Sequence, residues 1–244
     1  MFGLTDFFNP STLNIFCDAS MLINKYGETS VGCSGICLVY GALDKRFPLL
    51  HTESHFQISK KATNNSAEAR AVVMGVYEAI RHMHEFPILR IISDSQVTIF
   101  NIRDRICNWK VSKKDPNQLI GSTGAIKNQD IFLEMLYPMM ASGVSIQFFH
   151  QGGHVSFGDQ KSLDKAAHVF QVANNIRDEI DLELVRAISH FNNYVDRTSR
   201  EFLHSVNLQE TNPVYPLKYM YNDFDREAFY RLTHPQEEET NVQQ

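Results

Sequence analysis

Two aspartates close apolar runs in this chain: Asp18 follows Leu13-Asn-Ile-Phe-Cys, and Asp94 follows Ile88-Leu-Arg-Ile-Ile-Ser. Glu68 follows Thr63-Asn-Asn-Ser-Ala, and Asp196 stands in an amphipathic run further along. Carboxylates that converge without counter-charge raise one another's pKa, so a set of this kind is best explained by bound cations. Hard divalent ions such as Mg²⁺ take oxygen ligands and keep waters, which leaves positions for a phosphate oxygen. Two such ions about 3.5–4 Å apart activate a water on one side of phosphorus and relieve charge on the leaving oxygen at the other. The candidate chemistry is metal-dependent phosphodiester cleavage.

Convergence depends on the elements that carry these groups. Residues 13–20 read as a mostly apolar strand ending on Asp18, and 32–40 and 50–59 as two more, joined by short turns and therefore antiparallel. From Ser66 the apolar positions Ala67, Ala71, Met74, Tyr77 and Ile80 take helical spacing until Pro87, with Glu68 in the first turn. Ile88–Ser93 is a continuous apolar strand after a helix, so it runs parallel to a neighbour. Paired with the first strand, it brings Asp94 beside Asp18 at the sheet edge where ligands of such sheets bind.

A helix is expected over 97–108, a basic and mobile stretch from Trp109 to Pro116, a helix over 128–140 and a short strand over 144–149. Residues 181–202 form the longest amphipathic helix, with Leu184, Val185, Ile188, Phe191, Val195 and Phe202 on its apolar side and Asn192 and Asp196 sharing a face.

With the local wording Thr63-Asn-Asn-Ser-Ala-Glu68, Ser93-Asp-Ser-Gln96, Asn108-Trp-Lys110, Lys127-Asn-Gln-Asp130 and Gly153-His154, this order resembles type 1 ribonuclease H over 13–154, and again over 192–203. The resemblance implies an α/β ribonuclease H-like fold, a central mixed five-stranded sheet flanked by helices. It implies that Asp18, Glu68, Asp94 and Asp196 hold two Mg²⁺ ions, with Mn²⁺ as a substitute, and that His154, on a flexible loop, assists product release or protonates the leaving group. The implied substrate is an RNA·DNA hybrid whose RNA strand is cut to 5′-phosphate and 3′-hydroxyl ends. Asn24, Asn64 and Gln96 match positions that meet the minor groove of the hybrid, and Thr63 and Asn108 match a phosphate pocket. Contacts to 2′-hydroxyls are how a protein tells RNA from DNA. Trp109 is expected to stack on a DNA sugar, with Lys110, Lys113 and Lys114 supplying local positive charge.

The chain departs from that family in two places. Ala19-Ser-Met-Leu-Ile23 replaces a glycine-rich opening, and the wide separation of His154 from Asp196 implies an insertion over about 155–191 with a helix at 162–180. The expected organisation is one domain over 1–206 and an extension over 207–244 with disordered last residues.

Each acid also has an ordinary explanation: Asp94 as a helix cap, Asp18 as a turn residue, Glu68 as a first-turn glutamate favoured by the helix dipole, Asp196 as a solvated helical residue. His150 is expected at a strand end or in solvent, and His82 and His84 on an exposed helical face. A net charge of −5 argues against coating nucleic acid by charge alone, although clustered carboxylates and bound metal account for it. No run of about 18 apolar residues indicates a membrane span, and the start lacks a secretory pattern, so a cytoplasmic protein is expected. The four cysteines form no paired motif and are expected to be free. The competing functions are a DNA-directed nuclease of the same superfamily, disfavoured because Ser20 stands where such exonucleases carry a second acid, and a non-catalytic nucleic-acid-binding protein.

Overall fold

The computed structural model describes residues 1–23, 30–43, 48–153, 155–205, 230, 231 and 233. Its elements, in chain order, are α1 (Leu4–Phe7), β1 (Thr12–Ile23), β2 (Ser30–Leu43), β3 (Pro48–Lys60), α2 (Asn64–His82), β4 (Ile88–Ser93), α3 (Gln96–Phe100), β5 (Lys110–Val111), β6 (Leu119–Gly121), β7 (Gly124–Ala125), α4 (Gln129–Ser142), β8 (Gln147–His150), α5 (Gln160–Ala173) and α6 (Leu182–Ser205). Five strands make one mixed sheet in the order β3-β2-β1-β4-β8, antiparallel on the β2 side of β1 and parallel on the β4 side.

Alternation along β1 assigns its residues to two cores. Leu13, Ile15 and Cys17 face α2 and α4 with Leu89 and Ile91, whereas Phe16 faces α1, α5 and α6 with Ile92 and Phe149. Cys17 and Asp18 therefore point to opposite sides, as expected. None of the four cysteines is in a disulfide, and burial pushes Cys33 up to about 12 and Cys37 up to about 11. Among the described residues no helix is long and apolar enough to cross a membrane.

Three expectations change, and one feature was not foreseen. The segment after Asn108 is not a mobile basic stretch but the start of a second, three-stranded sheet, β5-β6-β7. Trp109 is 2 % exposed and packs edge-on against Phe132 of α4, so its ring has no free face for a sugar. Residues 101–108 continue α3 as wide π-type turns followed by a tight 3-10 turn, not as one regular helix. The amino terminus joins the core: Phe7 and Phe8 are buried, and the Arg90 guanidinium lies over the Phe7 ring while donating to the Phe7 and Asp6 carbonyls.

The second face closes tightly because of one residue. Gly35 pairs with Asp18 in the β1–β2 register, and a Cβ there would overlap Ser199 Oγ of α6. α6 thus lies against the sheet beside Asp18, three residues past Asp196. Gly35→Ala should lower the unfolding free energy by about 1–3 kcal/mol, the usual cost of overpacking. Gly158→Ala, at a position with nothing within 4 Å, should change it by less than about 0.5 kcal/mol; urea denaturation of both variants measures the contrast.

Candidate active site

β1 and β4 pair in parallel up to Cys17 with Ser93, so Asp18 and Asp94 each follow the last residue of that pairing; β1 does not end on Asp18 as expected but runs on to Ile23, paired with β2. Asp18 is 6 % exposed and accepts from the Ala19 backbone N–H at 2.7 Å. Burial, then the negative charges of Asp94, Asp196 and Glu68, push its carboxyl up to about 8, against which the Ala19 N–H acts. The four acids named from the sequence, carried by β1, α2, the β4–α3 junction and α6, therefore share one electrostatic neighbourhood.

α2 begins at Asn64, capped by Thr63, whose Oγ1 accepts from Ser66 N. This places Glu68 in the second helical turn, not the first as expected, so the helix dipole does less for it. Its carboxylate is held on both oxygens: Asn64 Nδ2 donates to Oε1 at 2.5 Å and Ser95 Oγ to Oε2 at 2.6 Å. Burial raises Glu68, and the Ser95 hydroxyl opposes that shift. The residue at the capping position of α3 is Ser95, not Asp94. Asp196 is paired with Arg200 one turn on, at 2.8 and 3.0 Å. Among the described residues no three carboxylate, imidazole or thiol groups are closed around one point. Neutral donors hold Glu68, and the arginine on Asp196 is exposed and weakly bound, so these oxygens can be released to a cation.

Beyond Asp94, the end of β8 is built from buried polar groups. His150, the last residue of β8, is buried at the strand end, the first of the two expected places and not solvent, and its Nε2 lies 3.2 Å from the Asp94 carbonyl. A carbonyl only accepts, so Nε2 carries the proton; burial lowers the ring pKa and keeps it neutral. Gln151 N donates to the Ser93 carbonyl, and its Nε2 donates to the Gly152 carbonyl and to Ser189 Oγ of α6. The chain then passes so close to Asp94 that a Cβ on Gly153 would sit 2.8 Å from Asp94 Oδ2. His154 and Asn24 lie outside the described residues.

Of the expected substrate contacts, Thr63, Asn64 and Gln96 are exposed near Glu68 and Ser95, and Asn108 and Lys110 are exposed at the small sheet. Thr63 Oγ1 accepts a hydrogen bond and keeps its own proton to donate. Trp109 leaves the set. Sequence reasoning missed His150, Gln151 and Ser189. Ser189 had a signal, because Ser189, Asn192, Asp196 and Ser199 recur at helical spacing as a polar seam on the buried side of α6.

Residues 10–170 match the sequence profile of the RNase H family. The chain belongs to the ribonuclease H family. The match takes in the beginning of the segment assigned to an insertion and ends before Asp196. Ribonuclease HI of Haemophilus influenzae is 28 % identical over 158 residues, which cover 65 % of this chain and 88 % of that protein. Two solved structures overlap in part: the PFV RNase H domain (TM-score 0.44, 14 % identity, 69 % of this chain and 96 % of that one) and LC11-RNase H1 in complex with RNA/DNA hybrid (TM-score 0.35, 15 % identity, 67 % and 96 %).

The geometry of Asp18 and Gly153 can be tested directly. A carboxyl raised above its unfolded value contributes stability that is complete below about pH 4 and is lost as pH rises through about 8, at about 1.4 kcal/mol for each pH unit between the two. Asp18→Asn should therefore stabilise the metal-free ribonuclease H at pH 9 and leave it unchanged at pH 4, as read by thermal melts in chelator. Gly153→Ala should displace Asp94 and reduce turnover by at least about tenfold with the melting temperature nearly kept, a split that steady-state kinetics and calorimetry on one preparation would reveal.

Proposed function

We propose that this ribonuclease H is an endonuclease that cuts the RNA strand of an RNA·DNA hybrid, leaving 5′-phosphate and 3′-hydroxyl ends. Asp18, Glu68, Asp94 and Asp196 would hold two divalent cations, Mg²⁺ or Mn²⁺. The observation that carries this reading is the Asp18 carboxyl, buried among three other acids from three different elements. An all-oxygen donor set, with the Asp18 and Glu68 carboxyls raised by burial, suits a hard divalent cation. Such cations supply an activated water and neutralise charge at the leaving oxygen.

The chain's own residues supply position. Asn64 and Ser95 orient Glu68, and Gly153, the residue before His154, passes close beside Asp94. His154 is proposed to exchange a proton with the leaving group or to assist release of product. Asn24, Asn64 and Gln96 are proposed to meet the minor groove, and Thr63, Asn108 and Lys110 the DNA backbone. The catalytic unit is proposed to be residues 1–206, working in the cytoplasm, with 207–244 as an extension outside the described residues apart from 230, 231 and 233.

Support for the fourth ligand is geometric, because the family match stops at residue 170. Within the matched segment after His154 the acids are Asp159 and Asp164; Asp164 is exposed on α5 and accepts from Gln160 Nε2. Cleavage of a labelled RNA strand should occur in a hybrid and not in single-stranded or duplex RNA, should stop in chelator, and should fall by orders of magnitude in Asp94→Asn, Glu68→Gln and Asp196→Asn. Full activity in Asp196→Asn with loss in Asp164→Asn would move the fourth ligand to α5. Cleavage of DNA alone, or of nothing, would replace the proposed substrate or the proposed activity.

A further inference from the structure

α3 starts without the contact that its capping residue is suited to make. A serine at this position ordinarily accepts, through its hydroxyl, from a backbone N–H two or three residues on. Ser95 makes no such bond. Its Oγ donates instead to Glu68 Oε2 at 2.6 Å, and it lies 2.8 Å from Oγ1 of Thr98, the third residue of the helix. The Thr98 side chain thus takes the place that a backbone N–H would fill.

Proton counting sets the direction of the second bond. A serine hydroxyl has one proton and two lone pairs, and a carboxylate only accepts. The Ser95 proton therefore goes to Glu68, and the Thr98 hydroxyl donates to Ser95. With the Ser95 proton turned to Thr98, Oε2 would face a lone pair. The two lengths agree with this order: 2.6 Å is usual for a hydroxyl on a charged acceptor, and 2.8 Å for two neutral hydroxyls. Both groups are withdrawn from solvent, Thr98 at 1 % and Ser95 at 5 % exposure, so bulk water does not compete for either proton. A donor that itself receives a hydrogen bond is polarised into a stronger one. Asn64, the donor on the other oxygen of Glu68, is exposed to water.

We propose that Thr98 is a further positioning residue of the carboxylate site: by donating to Ser95 it commits the Ser95 proton to Glu68 Oε2 and fixes how Glu68 presents its oxygens to a divalent cation. The inference rests on the cation site proposed above, and it adds a residue that acts through Ser95.

The test is Mn²⁺ binding to the full, substrate-free chain, read from the electron paramagnetic resonance signal of free Mn²⁺, with melts in chelator to check folding. Ser95→Ala should weaken binding by about tenfold, the usual effect of losing an outer-shell partner. Thr98→Val exchanges the hydroxyl for a methyl group and should weaken it about threefold, the effect of one modest hydrogen bond. Thr98→Ser, which keeps the hydroxyl, should recover most of that loss. Thr98→Val should add nothing in a chain that already carries Ser95→Ala. Equal weakening by Thr98→Val with and without Ser95→Ala would make Thr98 a packing residue, and the inference would fall. Parental binding in Thr98→Val or in Ser95→Ala, or a loss in Thr98→Ser as large as that in Thr98→Val, would also overturn it; loss in Asp94→Asn would leave the carboxylate site standing. Should Thr98→Val fail to melt cooperatively, Thr98→Ala takes its place under the same criteria. Parental binding in every variant, Asp94→Asn included, would overturn both readings.

Discussion

A carboxylate withdrawn from water on a central strand, where its pairing with β4 ends, is the constraint around which this molecule is arranged. An isolated buried charge costs several kcal/mol or is neutralised by a proton, and Asp18 meets three further acids as well. The fold tolerates this because β1 is hydrogen-bonded on both sides and packed on both faces, with the larger hydrophobic core on the α2 side and the phenylalanine-rich core on the α6 side. The surrounding stability holds Asp18 in a position that its own solvation would oppose, and the backbone N–H of Ala19 is its direct polar compensation.

The far side of the site is held by side chains that substitute for a missing strand. β8 is an edge of the sheet, and its outer polar groups are taken up within the chain: Asn174, just past α5, accepts from His150 N and donates to the His150 carbonyl, while Arg103 donates to the Phe148 carbonyl and to the Asn174 and Ala173 oxygens. An edge strand with open polar groups invites pairing with other chains, and this clamp removes that invitation next to the site. It also ties α5 to the strand that leads into Gln151, Gly152 and Gly153.

Much of this was legible in the chain. Apolar runs and short turns placed the first three strands, and the apolar run before Asp94, coming after a helix, reads as a parallel strand that brings two acids together when it is paired with the first. What stayed hidden has physical reasons. Trp109 reads as a surface residue because Asn108 and Lys110 flank it and strands of two or three residues are too short to show alternation. The role of Phe7 depends on Arg90 and Phe149, distant in sequence, and on an α-helix of one turn with no periodic signal. His150 gives the same pattern whether the last residue of a strand is buried or free. The clamp by Asn174 leaves no local trace, since polar residues after a helix are common everywhere.

The distance along the chain between the parts of the site has a consequence for its birth. β1, β2 and β3 make neighbouring pairings, whereas Ser20 and Asp196, which touch through the Ser20 hydroxyl and the Asp196 carbonyl, are 176 residues apart. Contacts of such separation form late because loop closure must come first. As the chain leaves the ribosome, Asp18, Glu68 and Asp94 emerge long before the helix that faces them. The growing polypeptide therefore carries Asp18, Glu68 and Asp94 past the messenger that encodes it before Asp196 has been made.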